Sequence, residues 1–327
     1  MIEREQNPDY LNDFLDYIAT ILNKSENTVK EYNYDIAHFL KHIKYQFKLA
    51  QVKSIEEIKQ IEIKDLPLDI VAKIELANIH AFLSYLKVNF RSKPATISRK
   101  NASIRTFFSF LCNKTKRIPK NPAQDLETPK PERRLPKYLS LDDSKKLLEV
   151  SESEENRNAI RNHAIITLFL NCGMRLSELF NINIKDIDFN DNKLTVIGKG
   201  NKERTIYLNK ACIKAINTYL AERPKVDVKA NARDALFLSE QRNRISNRTV
   251  QYVVKQELKR SGLDINKYSV HKLRHTAATL MYKYGNVDIR ALQELLGHES
   301  IATTEIYTHV DNDQIRSAVE NNPLADM

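Results

Sequence analysis

Five short segments in the second half of the chain collect side chains that bind anions, transfer protons or act as nucleophiles. They are residues 173–178, 198–204, 271–276, 295–300 and 304–310. Each segment alone has an ordinary structural explanation. Arg175 could pair with Glu178 on a helix surface, Lys199 could be an ordinary lysine at a hairpin tip, and Tyr307 could be a core tyrosine whose hydroxyl reaches the surface. The segments therefore point to chemistry only when they are taken as a set.

A zinc site is the first chemistry to consider, because His271 and His275 have the i, i+4 spacing of the HExxH helix. The second position of that motif holds the glutamate that acts as general base, and here it is Lys272. The positive charges of Lys272 and Arg274 would also oppose a bound cation. We therefore expect no metal at these histidines.

Together the five segments resemble the tyrosine recombinase (phage integrase) family, and most closely its Xer-type members. The family signature consists of an arginine, a lysine on a hairpin, an HxxR pair, a second histidine or tryptophan, and a tyrosine nucleophile. The matching positions are Arg175, Lys199, His271, Arg274, His298 and Tyr307, and no position departs from the signature. The resemblance covers nearly the whole chain, although in the first half it rests on helical pattern and a basic stretch.

This resemblance implies a mainly α fold, with an N-terminal helical core-binding domain of the SAM-like type and an α+β catalytic domain that carries a small antiparallel sheet. It also implies that duplex DNA is cut and rejoined through a 3′-phosphotyrosine intermediate and a Holliday junction. The assembly would be a homotetramer or heterotetramer on two synapsed specific sites, with an activator protein as a further partner.

The residue types suit such a reaction. Phosphodiester transfer builds negative charge on the non-bridging oxygens, and the guanidinium groups of Arg175 and Arg274 can bind those oxygens. Because arginine keeps its charge at neutral pH, we expect no metal ion or other cofactor. A tyrosine hydroxyl has an ordinary pKa of about 10, so Tyr307 needs a proton acceptor, and His271 is the natural candidate.

The remaining matched residues receive roles in the same reaction. Lys199, on a hairpin, can deliver a proton to the departing 5′ oxygen, and His298 would hydrogen-bond the phosphate. Glu178 is expected to orient one of the catalytic side chains from behind.

Composition limits the class of protein. The 52 basic residues exceed the 42 acidic ones by 10 in a chain of 327 residues, which is long enough for two domains. Such an excess favours a nucleic acid partner over a membrane, because basic side chains displace the counterions of phosphates. On charge alone, a basic surface that serves solubility is the alternative. No apolar stretch suffices to span a bilayer, and the polar N-terminus is unlike a signal peptide. Cys112, Cys172 and Cys212 lack metal-ligand spacing and predict reduced thiols, so we expect a cytoplasmic protein.

The first 126 residues predict a helical DNA-binding domain. Apolar residues at helical spacing indicate helices near residues 11–18, from Ser25 onward, over 75–89 and over 96–116. Residues 76–124 include no acidic residue and ten basic ones. A solvated helix face would normally mix both signs, so we expect Arg99, Lys100 and Arg105 to contact DNA; an uninvolved basic face is the alternative.

Residues 127–138, with three prolines, predict a linker. The second domain, 139–327, opens with Ser140 as a helix cap and mixes helices with strands at 186–189, 193–197 and 203–207. Helices are predicted near 157–172, 209–222, 248–261, 271–284, 287–296 and 301–309. The tail after Tyr307 is expected to form a short helix at 313–320, which is too short to be ordered alone. The family resemblance favours its docking on a neighbouring protomer, and docking on its own domain is the alternative.

Several rival functions share these features. A type IB topoisomerase has the same nucleophile chemistry, and an integrase or transposase of a mobile element has the same strand exchange. A DNA-binding module that has lost activity is the rival from another class, and the complete set of six residues argues against it. We expect a simple Xer-like enzyme that resolves chromosome or plasmid dimers, with a role in chromosome partition and cell division.

Overall fold

The structure is a computed structural model, and it describes residues 4–52, 54–128, 137–153, 158–198, 203–224, 227–285, 287–298, 300–304 and 307. The chain divides into two compact units, Met1–Arg133 and Arg134–Met327. The predicted linker at 127–138 spans this division, but its residues 129–136 lie outside the described part, as does the predicted tail helix. The domain limits at 126 and 139 therefore stay predictions.

The first unit is helical throughout its described residues. Its elements are α1 (Asp9–Thr20), α2 (Glu26–Gln46), a 3₁₀ turn (Glu56–Gln60), α3 (Leu68–Ala72), α4 (Leu76–Phe90), α5 (Pro94–Ser109) and a π-helical turn (Phe110–Lys114). Ser25 caps α2, because its side chain accepts a hydrogen bond from the Thr28 amide at 3.3 Å. The predicted helices are present, whereas the short α3 and the 3₁₀ turn were not predicted.

Aromatic rings fill the core of this unit. Phe14, Phe39, Phe82, Phe107 and Phe108 are fully buried. The rings of Phe14 and Phe107 meet edge to face at 5.3 Å, a favourable geometry for two aromatic quadrupoles. This contact joins α1 to α5, so the basic helix α5 is held by its apolar face.

Two histidines are buried in the same core and should make the protein sensitive to acid. Burial lowers the pKa of both His38 and His42 to about 4, and neighbouring positive charges, chiefly Lys100, add to the effect at His38. The unfolded chain therefore binds protons that the folded chain excludes as the pH falls below about 6.5. We expect the free energy of unfolding to fall by about 2 kcal/mol per histidine between pH 7 and pH 5.

The measurement is urea unfolding followed by circular dichroism at both pH values. His38→Phe should reduce the loss between pH 7 and pH 5 by about 2 kcal/mol. His80→Phe, which removes an exposed histidine on α4, should leave the loss unchanged. An equal pH dependence in wild type and His38→Phe would contradict the prediction.

The second unit mixes helices with one small sheet. It consists of α6 (Leu141–Glu152), α7 (Ala159–Cys172), α8 (Leu176–Asn181), β1 (Ile187–Asp188), β2 (Lys193–Ile197), β3 (Glu203–Tyr207), α9 (Lys210–Glu222), α10 (Asn247–Arg260), α11 (Val270–Tyr284) and α12 (Ile289–Leu296), with 3₁₀ turns at Ile184–Asp186, Ala230–Ala232 and Ile301–Thr303. The mainly helical fold with a small antiparallel sheet, predicted from the sequence, is confirmed.

Helix α7 is the centre of this unit. It is buried around nearly its whole circumference and packs against α6, α9, α10 and α11. It ends at Gly173, whose φ of +57° is a left-handed conformation that suits glycine. This sharp end brings the chain directly into α8, so the buried helix fixes the start of the segment that carries Arg175.

The sheet has the strand order β1-β2-β3, with antiparallel neighbours. Ile197 of β2 pairs with Glu203 of β3, so the predicted hairpin is present, and Lys199 belongs to its five-residue connection. Residues 199–202 of that connection lie outside the described part.

None of the described helices is both long and apolar enough to cross a membrane. The three cysteines are free thiols, and the sulfur atoms of Cys172 and Cys212 lie 3.6 Å apart in the core. The prediction of thiols without disulfides is consistent with this arrangement.

Candidate active site

Three arginines from three different elements converge on the end of α12. Arg204 donates to the carbonyl of Leu295, Arg274 donates to the carbonyl of Leu296 at 2.6 Å, and Arg175 donates to the carbonyl of Gly297. The last carbonyls of a helix have no partner within the helix and carry the negative end of its dipole. One helix end thus gathers guanidinium groups that are far apart in sequence.

A buried carboxylate joins two of these arginines. Glu178 Oε1 accepts from Arg175 Nη1 at 2.8 Å and from Arg204 Nε at 3.2 Å. Glu178 Oε2 accepts from the Arg175 backbone amide at 2.7 Å and from Arg204 Nη2 at 2.8 Å. The Glu178 side chain has no exposed surface, yet its pKa lies below the usual value. Burial opposes its ionisation, but the hydrogen bonds and charge of Arg204, and then the bonds from Arg175, outweigh that effect.

Arg274 is the most buried of the three arginines in this cluster. Its guanidinium also donates to the carbonyl of Gly173 at 2.7 Å, so it links the end of α7 to the end of α12. Burial, followed by the positive charge of Arg175, lowers its pKa to about 10. Arg274 therefore stays charged at neutral pH, and the cluster carries more positive charge than Glu178 balances.

Tyr307 packs against the same helix. Its ring lies in an apolar cluster with Ala278, Leu292 and Leu296, and only 1% of the residue is exposed. The Tyr307 hydroxyl lies 2.8 Å from Nδ1 of His275. Burial raises the pKa of Tyr307 to about 12, and burial with nearby positive charge lowers the pKa of His275 to about 4. The tyrosine O–H is therefore the donor and the neutral imidazole the acceptor.

The remaining predicted residues differ in what the structure shows. Nδ1 of His298 lies 2.9 Å from the buried hydroxyl oxygen of Thr304, and burial, followed by the charge of Arg274, lowers the pKa of His298 to about 4. His271 is exposed at the beginning of α11, and the tyrosine hydroxyl contacts His275 in its place. Lys199 lies outside the described residues.

Sequence reasoning missed two residues of this arrangement. Arg204 was noted only as part of the segment 198–204, and His275 was considered only in the rejected zinc motif. A signal existed for Arg204, because residues two apart in a strand point to the same face, and Arg204 therefore shares its face with the apolar Ile206. Nothing in the sequence distinguishes His275 from His271 as the partner of Tyr307.

Two basic side chains of helix α5 in the first unit make contacts within the protein. The buried carboxylate of Asp35 accepts from Arg99, from Lys100 Nζ at 2.7 Å and from Ser103 Oγ at 2.8 Å. The Lys100 side chain is 5% exposed, whereas that of Arg99 is 40% exposed. The predicted DNA contact of Lys100 does not fit this burial, because its ammonium group neutralises Asp35. Arg105 is exposed, as the prediction for it requires.

Comparison with known proteins places the chain in a family. The sequence pattern of the phage integrase family matches residues 137–314. The tyrosine recombinase XerC of Caldanaerobacter subterraneus subsp. tengcongensis is 51% identical over 318 residues, which are 97% of this chain and 88% of that protein. The tyrosine recombinase XerC of Thermodesulfovibrio yellowstonii is 34% identical over 305 residues, 92% of each chain. The chain belongs to the phage integrase family. Its activity is that of an Xer-like site-specific tyrosine recombinase, which cleaves and rejoins DNA.

Solved structures share the fold. The XerH site-specific recombinase bound to palindromic difH substrate, in a post-cleavage complex, matches with a TM-score of 0.67 and 22% identity over 98% of both chains. A lambda integrase (75–356) dimer bound to a COC′ core site matches with a TM-score of 0.60 and 19% identity, over 90% of this chain and 96% of that one. These similarities, at low sequence identity, confirm the fold that the sequence predicts for this chain.

Proposed function

We propose that Tyr307 attacks a phosphodiester of duplex DNA, so that a bond forms between its oxygen and phosphorus while the bond from phosphorus to the 5′ oxygen breaks. Arg175 and Arg274 bind the non-bridging oxygens, His298 donates a hydrogen bond to the phosphate, and Lys199 protonates the departing 5′ oxygen. The observation that carries the proposal is that α12 holds the arginines at its end and Tyr307 on its side.

The positive charge of the cluster supports the phosphate assignment. Guanidinium groups form short, charge-assisted hydrogen bonds with phosphate oxygens, and such bonds are stronger than those with neutral carbonyls. The carbonyls of Leu296 and Gly297 are neutral acceptors, so a phosphate can replace them as partners of Arg274 and Arg175. The charge that develops in the transition state then meets donors that are already oriented.

The proton of Tyr307 must leave before the oxygen can attack. In the arrangement described, His275 accepts a hydrogen bond from the hydroxyl, but its low pKa makes it a poor base. We propose that His275 holds the tyrosine protonated and that His271, one helical turn earlier and exposed, accepts the proton once DNA is bound. The 3′-phosphotyrosine conserves the bond energy, so religation requires no nucleotide.

The biological task we propose is the resolution of chromosome or plasmid dimers in the cytoplasm, which the similarity to tyrosine recombinases of the Xer type favours. Four protomers, identical or of two kinds, would act on two specific sites through a Holliday junction. Integration or transposition of a mobile element is the alternative, and it uses the same chemistry with different sites.

Two assays test this proposal. A nicked suicide duplex that carries the cognate site should trap the wild-type protein on the 3′ phosphate, and trapping should persist in EDTA. A plasmid with two such sites should recombine and yield Holliday junctions. Relaxation of supercoiled DNA without recombination would favour a type IB topoisomerase, whereas binding without covalent trapping would indicate an inactive DNA-binding module.

The DNA contacts proposed for the first unit can be tested by charge removal. Arg105→Ala should weaken binding to the site and reduce the slope of log K against log salt by about 1, because one phosphate contact is lost. Filter binding or fluorescence anisotropy at several salt concentrations measures this slope. Lys64→Ala, which removes an exposed charge outside the acid-free stretch, serves as the control. An unchanged affinity and slope for Arg105→Ala would mean that the basic face is only solvated.

A further inference from the structure

Arg204 is the arginine of the cluster to which the family signature gives no role. It lies on β3, directly after the connection that carries Lys199, and 12% of its side chain is exposed. Its guanidinium donates to both oxygens of Glu178 and to the carbonyl of Leu295. One side chain thereby ties the strand after the lysine hairpin to α8 and to the end of α12.

The path of Arg204 across the site depends on Gly297. A Cβ atom at Gly297 would lie 2.8 Å from Cδ of Arg204 and 3.4 Å from Nη1 of Arg175. The glycine also has a φ of +63°, in the left-handed region. Gly297 thus leaves space for the Arg204 side chain, accepts the hydrogen bond from Arg175 through its carbonyl, and ends α12.

The charges explain what this arrangement does to Arg175. Glu178 is shared between two guanidinium groups, so neither forms an isolated neutral pair with it. If Arg204 were absent, Arg175 alone would face the buried carboxylate, and the pair would be close to neutral. A phosphate would then have to compete with a full negative charge for Arg175, because an unpaired buried carboxylate is strongly unfavourable.

We propose that Arg204 is a positioning residue for strand cleavage: by sharing Glu178 with Arg175, it keeps the Arg175 guanidinium oriented and net positive for the scissile phosphate. This inference rests on the proposed function, because it assumes that Arg175 contacts the phosphate. The lowered pKa of Glu178, to which Arg204 contributes more than Arg175, is consistent with it.

The test measures the first-order rate of covalent adduct formation in preformed complexes with a suicide duplex, alongside the Kd for the same DNA. Arg204→Gln should lower the cleavage rate by about 10- to 100-fold, as expected for a misplaced catalytic group, and change the Kd by less than about threefold. Arg204→Lys keeps the charge with fewer donors, so it should recover part of the rate.

The decisive comparison is a double-mutant cycle. Glu178→Gln combined with Arg204→Gln removes both the carboxylate and its partner, so Arg175 keeps its charge for the phosphate. The double variant should therefore cleave faster than the product of the two single effects predicts. The matched control is Arg244→Gln, because Arg244 also donates to backbone carbonyls, those of Phe180 and Ile182, outside the cluster.

The outcomes separate the inference from the proposed function. If the wild-type protein forms no adduct, the proposed function fails. If the wild type forms an adduct and Arg204→Gln cleaves bound DNA at the wild-type rate, the inference is wrong. The inference is also wrong if the cycle is additive, or if Arg244→Gln loses as much rate as Arg204→Gln at equal thermal stability. If Arg204→Gln does not fold, the cleavage rate of Arg204→Lys decides. A rate below that of wild type supports the inference, and a wild-type rate rejects it, because the inference requires a guanidinium group that donates to both oxygens of Glu178.

Discussion

Replacing Tyr307 with phenylalanine should abolish covalent adducts on a nicked suicide duplex and leave DNA binding within about twofold of wild type. The substitution removes the hydroxyl oxygen that we propose as nucleophile, and no other group at that position can form a phosphotyrosine bond. The decrease should therefore exceed about 10⁴-fold, which amounts to loss of signal in a gel assay of the trapped complex. The ring itself remains in its apolar cluster with Leu292 and Leu296.

The loss of one hydrogen bond to His275 is a small side effect. Since the partner is a neutral imidazole, we expect a decrease in stability of about 1 kcal/mol, which thermal unfolding can measure. Tyr284→Phe, at an exposed tyrosine on α11, is the matched control and should cleave normally. Adducts at the wild-type level in Tyr307→Phe would exclude this tyrosine as the nucleophile.

The second large effect is expected at Lys199. Lys199→Ala should cleave ordinary DNA about 10²- to 10⁴-fold more slowly, because the departing 5′ oxygen then lacks a general acid. A duplex with sulfur at the bridging 5′ position has a better leaving group, which departs with little help from an acid. On that substrate the variant should cleave within about tenfold of wild type.

The comparison of the two substrates isolates the proton transfer from any change in binding. Lys202→Ala removes another lysine from the same hairpin connection and should cleave both duplexes at nearly the wild-type rate. If Lys199→Ala is equally impaired on the oxygen and sulfur substrates, then Lys199 acts elsewhere, for example in phosphate binding, and the general acid remains to be assigned.

Local features of the sequence were sufficient to predict most of the elements. Ser25 and Ser140 cap helices three residues before the amides that they bind, so the starts of α2 and α6 follow from short-range chemistry. The strands β2 and β3 alternate buried and exposed residues on either side of a glycine-containing turn. By contrast, α3 has only five residues, too few for a helical period to be recognised.

The site could be predicted as a set of residue types but not as a set of contacts. Arg204 is 26 positions from Glu178 and 91 positions from Leu295 in the sequence, yet it hydrogen-bonds both. Hydrophobic periodicity does not predict contacts between residues so far apart in sequence. Lys100 binds Asp35, which is 65 positions away in the sequence. Because this carboxylate lies outside the acid-free stretch, the sequence predicted that all three basic residues would contact DNA. His271 and His275 lie one turn apart on the same face of α11, so the choice between them depends on where along the helix axis the Tyr307 hydroxyl makes its contact, and helical spacing does not reveal that position.

The crowding of Arg175, Arg204 and Arg274 around a single carboxylate has a thermodynamic consequence. Like charges held together in the folded state oppose folding, so this part of the second unit reduces the stability of the protein that contains it. A bound phosphodiester supplies the missing negative charge, so DNA binding and folding are thermodynamically linked. The more tightly the protein binds DNA, the more the bound DNA raises the free energy of unfolding. A substitution that relieved the repulsion without removing the hydrogen bonds to the helix ends would exchange that linkage for stability gained independently of DNA. The cluster is therefore a place where selection for function would oppose selection for a more stable chain.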